Sequence, residues 1–156
     1  MELLKSMTGI DIVAVPYKGT VPAFNAVVAG EVHMTVADIA LVMPQVKAGK
    51  LRALGVTTAE PTILAPGVPP VASAGLPGYE VIGATGLWAP AKTPAAIVKR
   101  LNQEIVRFLS TAEVKERFLS YGTEAAPTSP EELAAKIKSE MASMGKVIRD
   151  ARIRAE

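Results

Sequence analysis

"DIVAVPYKGTVPAFNAVVAGEVHMTVAD", residues 11–38, decides how this chain reads. It opens on a β-branched run at 11–15 and passes through Lys18, Gly19 and Thr20. Small and apolar residues then lead to Gly30, and "VHMTVA" resumes at Val32. Valine-rich runs without polar alternation fit strands covered on both faces, and an apolar stretch closed by glycine fits a crossover helix over 22–29. Lys18 is the odd element, because a simple strand-to-helix turn needs no charge.

Outward from that stretch the same rhythm continues. Residues 2–8 predict a short helix closed by Gly9. "IALVMPQVKAG" predicts a helix broken or started at Pro44, and "LRALGVT" from Leu51 predicts a third strand. A βαβαβ order with buried strands implies an α/β fold on a parallel sheet. Residues 58–79 hold five of the twelve prolines, yet apolar residues interrupt them throughout, so an ordered loop is expected. "YEVIGATGLWAPAKTP" (79–94) predicts a long returning strand with bends at Gly83 and Gly86. Thr93 and Pro94 open a helix that aligns Ile97, Leu101, Ile105 and Phe108. The last helix, about 130–151, aligns Leu133, Ile137, Met141, Met144 and Ile148. Ser110 with Glu113 and Ser129 with Glu132 each match a capping box.

Composition narrows the function classes. The chain has 156 residues, 49% hydrophobic and 21% charged, enough for a core in one globular domain. A net charge of +2 and 4% aromatic residues do not make a nucleic-acid surface. Cysteine is absent, which removes disulfides, thiolate metal sites and cysteine nucleophiles. His33 is the lone histidine, flanked by Val32 and Met34 on a strand pattern, and a structural or solvent-facing place suits it better than catalysis. Glu131 and Glu132 sit where a helix dipole favours acids, so they read as a capped first turn and not as a catalytic pair. No G-x-S-x-G elbow and no phosphate-loop pattern occurs. The expectation is a non-enzyme, with no metal site and no cofactor. "MELLKSMTGIDIV" has no basic region leading into a long apolar run, and no segment is apolar enough to span a bilayer.

With a strand before it and a helix after it, "KGT" falls at a helix N-terminus, where free amides and the dipole attract anions. Gly19 lets a ligand approach the backbone, Thr20 caps or donates, and Lys18 adds charge. The pattern suits an anion site, and it equally suits a tight turn with a solvated lysine.

Four blocks in order, "VPYKGTVPA" (15–23), "KAGKLRALGVT" (47–57), "VPPVASAGLPGYE" (68–80) and "GLWAPAKTP" (86–94), resemble the Bug-type solute receptors of tripartite tricarboxylate transporters. The similarity runs through essentially the whole chain. It implies a type II periplasmic binding-protein fold, in which a mixed, mainly parallel sheet is flanked by helices. Residues 1–85 would form the ligand-binding second lobe, and 86–156 the crossover strand and C-terminal helices of a first lobe whose N-terminal part, with its glycine-rich ligand loop and the signal peptide, would precede Met1. It further implies a small carboxylate ligand, delivery to the transporter's membrane subunits and a periplasmic location. Without a signal peptide, a complete gene product of this length would be cytoplasmic. The positions matching the receptor motif are Lys18, Gly19, Thr20, Pro22, Ala23 and, after the second strand, Asp38, which could equally cap the following helix. The alternative is a truncated structural or interaction module that binds no solute. Strands at 86–90 and about 123–126, deprived of neighbours, should leave apolar faces in solvent, from which a homo-oligomer is expected.

Overall fold

Helices form where the sequence supplies both an apolar stripe and a way to close the last turn. In the computed structural model, which describes residues 1–150, they are α1 (Glu2–Thr8), α2 (Thr20–Val28), α3 (Ile39–Lys47), α4 (Ala95–Leu109), α5 (Ala112–Ser120) and α6 (Pro130–Asp150). The proposed end of the last helix at Ala151 lies outside the described residues.

Three of the helices end in the same double bond. After α2, the amide of Glu31 donates to Ala26 O at 2.9 Å and that of Gly30 to Val27 O at 3.0 Å. After α3, Lys50 reaches Gln45 at 2.9 Å and Gly49 reaches Val46 at 3.0 Å. After α5, Thr123 reaches Phe118 at 3.2 Å and Gly122 reaches Leu119 at 2.9 Å. This pairing satisfies carbonyls that a helix end leaves orphaned.

Pro44 neither breaks nor starts α3, which runs through it. The proline removes the amide that would have bonded Ala40 O, but Ala40 is exposed and water can take that carbonyl. The two capping boxes also part company. Ser129 and Glu132 form theirs: Ser129 N donates to Glu132 Oε2 at 2.8 Å and Glu132 N donates to Ser129 Oγ at 3.1 Å. Ser110 instead ends α4, its hydroxyl donating back to Val106 O at 2.7 Å, and Thr111 becomes the residue before α5. A short link between two helices gives Ser110 a carbonyl to answer before it can serve the next helix.

The expected strands differ most. Among the described residues no ladder forms at 11–15, 32–37, 51–57, 79–94 or 123–126. One isolated parallel bridge joins Val56 and Pro70, with Val56 N donating to Pro69 O at 2.9 Å and Val71 N to Val56 O at 3.0 Å. Val81 N adds a bond to Thr57 O at 2.9 Å. The parallel sheet of the sequence reading is therefore absent among these residues. A β-branched run favours a pleated, half-buried surface but does not provide the neighbour that pairs with it. Gly55 permits the one bridge, because a Cβ there would lie 2.9 Å from Val71 Cγ2 and 3.3 Å from Pro69 O.

Among the described residues the chain divides into two compact units, 1–82 with 147–150, and Gly83–Lys146. The first holds the buried residues Phe24 and Ala26 of α2 with Val56, Ala65, Tyr79 and Val147. Ala65 within the proline-rich loop and Tyr79 at its end are buried and so anchor it, and burial pushes the Tyr79 phenol above its ordinary range. In the second unit Val114 of α5 is the buried residue among those described.

Phe24→Ala should cost about 3–5 kcal/mol in urea unfolding, the range for emptying a buried phenylalanine site. Hydrogen bonds from the amide and hydroxyl of Ser129 hold the Glu132 carboxyl below its ordinary range. A depressed folded value means that the contribution is present above the ordinary carboxylate range and is lost as pH falls through the lowered one. Circular dichroism at 222 nm should therefore show the helical signal of the parent declining on acidification below the ordinary carboxylate range, with that part of the decline missing in Glu132→Gln.

Candidate functional site

The turn before α2 is built from backbone rather than side chains. Gly19 N donates to Tyr17 O at 2.8 Å, which closes a three-residue turn with Lys18 at its apex. Gly19 then takes φ 112° and ψ 172° and precedes the helix as its N-cap. That combination belongs to a region reached almost solely by glycine. Nothing lies within 4 Å of a Cβ built there, so the constraint is conformational and not steric crowding.

Thr20 is the first residue of α2, and no side chain caps this end. No acidic residue occupies its first turn either. The positive end of the helix is thus uncompensated, with the amides of Thr20 and Val21 among its free donors. Pro22 has no N–H to offer; its ring fixes φ in the first turn. Lys18, Gly19, Thr20, Val21 and Pro22 are all exposed, Ala23 is half-buried, and Phe24 behind them anchors the helix. The turn is open to solvent and is not packed beneath another element. Val21 is the second residue of the uncapped helix, the helix-start position that the sequence gives it beside Gly19 and Thr20.

Asp38 directly precedes α3 and adopts φ −61° and ψ 137°, the extended geometry of a capping residue. Its carbonyl accepts from Leu41 N at 3.0 Å and Val42 N at 3.2 Å, but its carboxylate makes no cap hydrogen bond. Residues 18–23 are thus gathered at one helix start and Asp38 at the next. Among the described residues no hydrogen bond or ion pair joins the two. His33 is exposed, as its position suggested. Among the described residues no group of three His, Cys, Asp or Glu side chains could hold a metal ion, and no helix is long and apolar enough to cross a membrane. What the start of α2 brings together is two amides free of cap bonds, the positive end of a helix dipole and an exposed lysine.

Solved structures share the architecture. An R. palustris protein, Rpa4515, solved with adipate, superposes with a TM-score of 0.77 at 36% identity over 97% of this chain and 51% of its own. MatC (Rpa3494) from Rhodopseudomonas palustris, with bound malate, gives 0.72 at 34% identity over 94% and 51%. The periplasmic binding protein BugD gives 0.69 at 26% identity over 99% and 52%. The fold is therefore that of a periplasmic binding protein. The chain belongs to the tripartite tricarboxylate transporter family receptors, whose description matches residues 1–153. This is a family of receptors and not of enzymes, in keeping with the lack of a catalytic constellation in the sequence.

Among sequence relatives, a UPF0065 protein from the tcbD-tcbE intergenic region of Pseudomonas sp. (strain P51) is 37% identical over 98% of this chain and 46% of its own length. Another, from the clcB-clcD intergenic region of Pseudomonas knackmussii, is 36% identical over 94% of this chain and 87% of its own. The chain thus spans about half the length of the first relative and of the solved receptors, and most of the second relative.

The backbone at Gly19 sets a clear expectation. Gly19→Ala should destabilise the chain by about 1–3 kcal/mol, the usual cost of such a conformation for an L-residue, although there is open space for the methyl group. Urea unfolding of the two proteins side by side measures it, and an unchanged midpoint would show that the turn relaxes freely.

Proposed function

We propose that this chain is the ligand-binding second-lobe part of a solute receptor for small carboxylates. The observation that carries the proposal is the uncapped, acid-free start of α2 at Lys18–Gly19–Thr20, open to solvent, in a chain of a tricarboxylate receptor family. Lys18 draws the anion in, the amides of Thr20 and Val21 donate to it, and Gly19 and Pro22 fix the backbone that aims them. Asp38, with its carboxylate unengaged, stands at the next helix start to orient bound water or a ligand hydroxyl. Adipate and malate in the related structures support a dicarboxylate as the ligand class.

In this reading residues 1–85 carry the second lobe, and 86–156 the crossover segment and C-terminal helices of the first. On the same reading the segments at 11–15, 32–37 and 51–57, which form no ladder among the described residues, gain their pairing in a mainly parallel sheet only beside the receptor's remaining strands. The receptor works in the periplasm and passes ligand to the membrane subunits of a tripartite transporter, for which the family description is the support.

Affinity follows from the geometry. An exposed helix terminus with one lysine contributes about 1–2 kcal/mol even when well placed, whereas micromolar binding needs about 8 kcal/mol. The chain alone should therefore bind adipate or malate at millimolar strength or more weakly. Amide resonances of Gly19, Thr20 and Val21 should be those that shift in a ¹⁵N NMR titration. Added salt and Lys18→Ala should both weaken the response. Shifts confined to other residues, or a response indifferent to Lys18, would overturn the site; micromolar affinity in calorimetry would overturn the half-site account.

A further inference from the structure

Every residue of 82–92 except Gly86 is exposed, and the backbone of this stretch takes part in one hydrogen bond, from Thr93 N to Pro90 O at 2.9 Å. Just before it Val81 N is tied to Thr57 O at 2.9 Å, and just after it α4 begins at Ala95. Nothing lies within 4 Å of a Cβ built on Gly83. The stretch carries two large apolar side chains in succession, Leu87 at 74% exposure and Trp88 at 73%. Free backbone groups beside bulky side chains held out in water are what an endopeptidase needs of its substrate. Main-chain hydrogen bonds seat the chain as an added strand, and a pocket takes the side chain before the scissile bond.

Other exposed apolar side chains lack one or other of these properties. Residues 11–17 share the open backbone, but Val13 and Val15 are small and β-branched, and Tyr17 is only 36% exposed with its carbonyl engaged by Gly19 N. Leu54 is exposed between two pinned amides, those of Leu51 on Gln45 O and Val56 on Pro69 O. Phe108 and Met141 lie within α4 and α6, and Tyr121 ends α5 with its amide bonded to Arg117 O. A protease would have to unwind those turns first, whereas at 82–92 there is no secondary structure to break.

We propose that 82–92 is a proteolytic processing site, cut after Leu87 or Trp88 in the folded chain by an endopeptidase selective for large apolar side chains. Water adds across the peptide bond and the C–N bond breaks. The carbonyl carbon becomes the terminal carboxylate of the first product, and the nitrogen becomes the free amine of the second. No other reactant is consumed. The inference stands apart from the receptor reading, since it needs no ligand.

The test treats the full chain with a trace of chymotrypsin and reads the products by intact mass. The first cut is expected after Leu87 or Trp88. Leu87→Asp and Trp88→Asp together should slow it at least tenfold and leave the circular dichroism unchanged, because both side chains are exposed. A synthetic peptide of residues 82–92, cut in parallel, gives the rate of the unprotected sequence at each urea concentration. The folded chain should be cut within about a hundredfold of that rate, at a ratio that urea below the unfolding midpoint leaves unchanged. A first cut elsewhere, stronger protection, or a ratio that climbs steeply with urea would mean that the stretch is reached only through unfolding, and would overturn the proposal.

Discussion

A backbone N–H or C=O withdrawn from water must find a partner, and where those partners come from organises this chain. Helices find them locally. Three ends close with the same double bond to the preceding turn, and α6 opens on a reciprocal Ser129–Glu132 cap. Strands cannot do this, since their partners belong to another segment. The valine-rich runs at 11–15 and 32–37 therefore remain without a ladder, and the single bridge at Val56 and Pro70 forms where Gly55 lets two segments approach.

The same dependence on neighbours separates the two units. In the first, α2 buries Phe24 and Ala26, and the proline-rich loop contributes Ala65 and Tyr79. Apolar residues spread through the loop hold it in place, where a polar loop of that length would have nothing to anchor it. In the second, α4 is strongly amphipathic in sequence, yet three large residues of its stripe face solvent. Hydrophobic stripes are usually taken as evidence of packing, but they show only that packing is needed.

The proposed site is the start of α2, which nothing local neutralises. A cap from Ser or Asp, or a glutamate in the first turn, would have satisfied the free amides and cancelled the dipole. The chain instead places a lysine before the turn and glycine at the cap, and leaves the amides of Thr20 and Val21 available. At Asp38 the opposite choice of residue leads to a similar outcome, since the carboxylate that could cap α3 makes no cap bond.

The sequence by itself determined what depends on near neighbours along the chain. The helices at 2–8 and around 22–29, the closure at Gly30, the Ser129–Glu132 cap, the ordered proline-rich loop and the place of "KGT" at a helix start were all legible, because each rests on contacts a few residues apart. Family membership was legible too, through four blocks in fixed order. Tertiary structure alone decided which β-branched runs acquire a ladder, whether Ser110 serves the helix before it or the one after it, whether Pro44 interrupts α3, and that Ile97, Leu101 and Phe108 lie on an open face. The physical reason is common to all four: strand pairing, competition for a hydroxyl, solvation of an orphan carbonyl and burial of a stripe each depend on which atoms stand nearby in space, and the order of residues does not contain that.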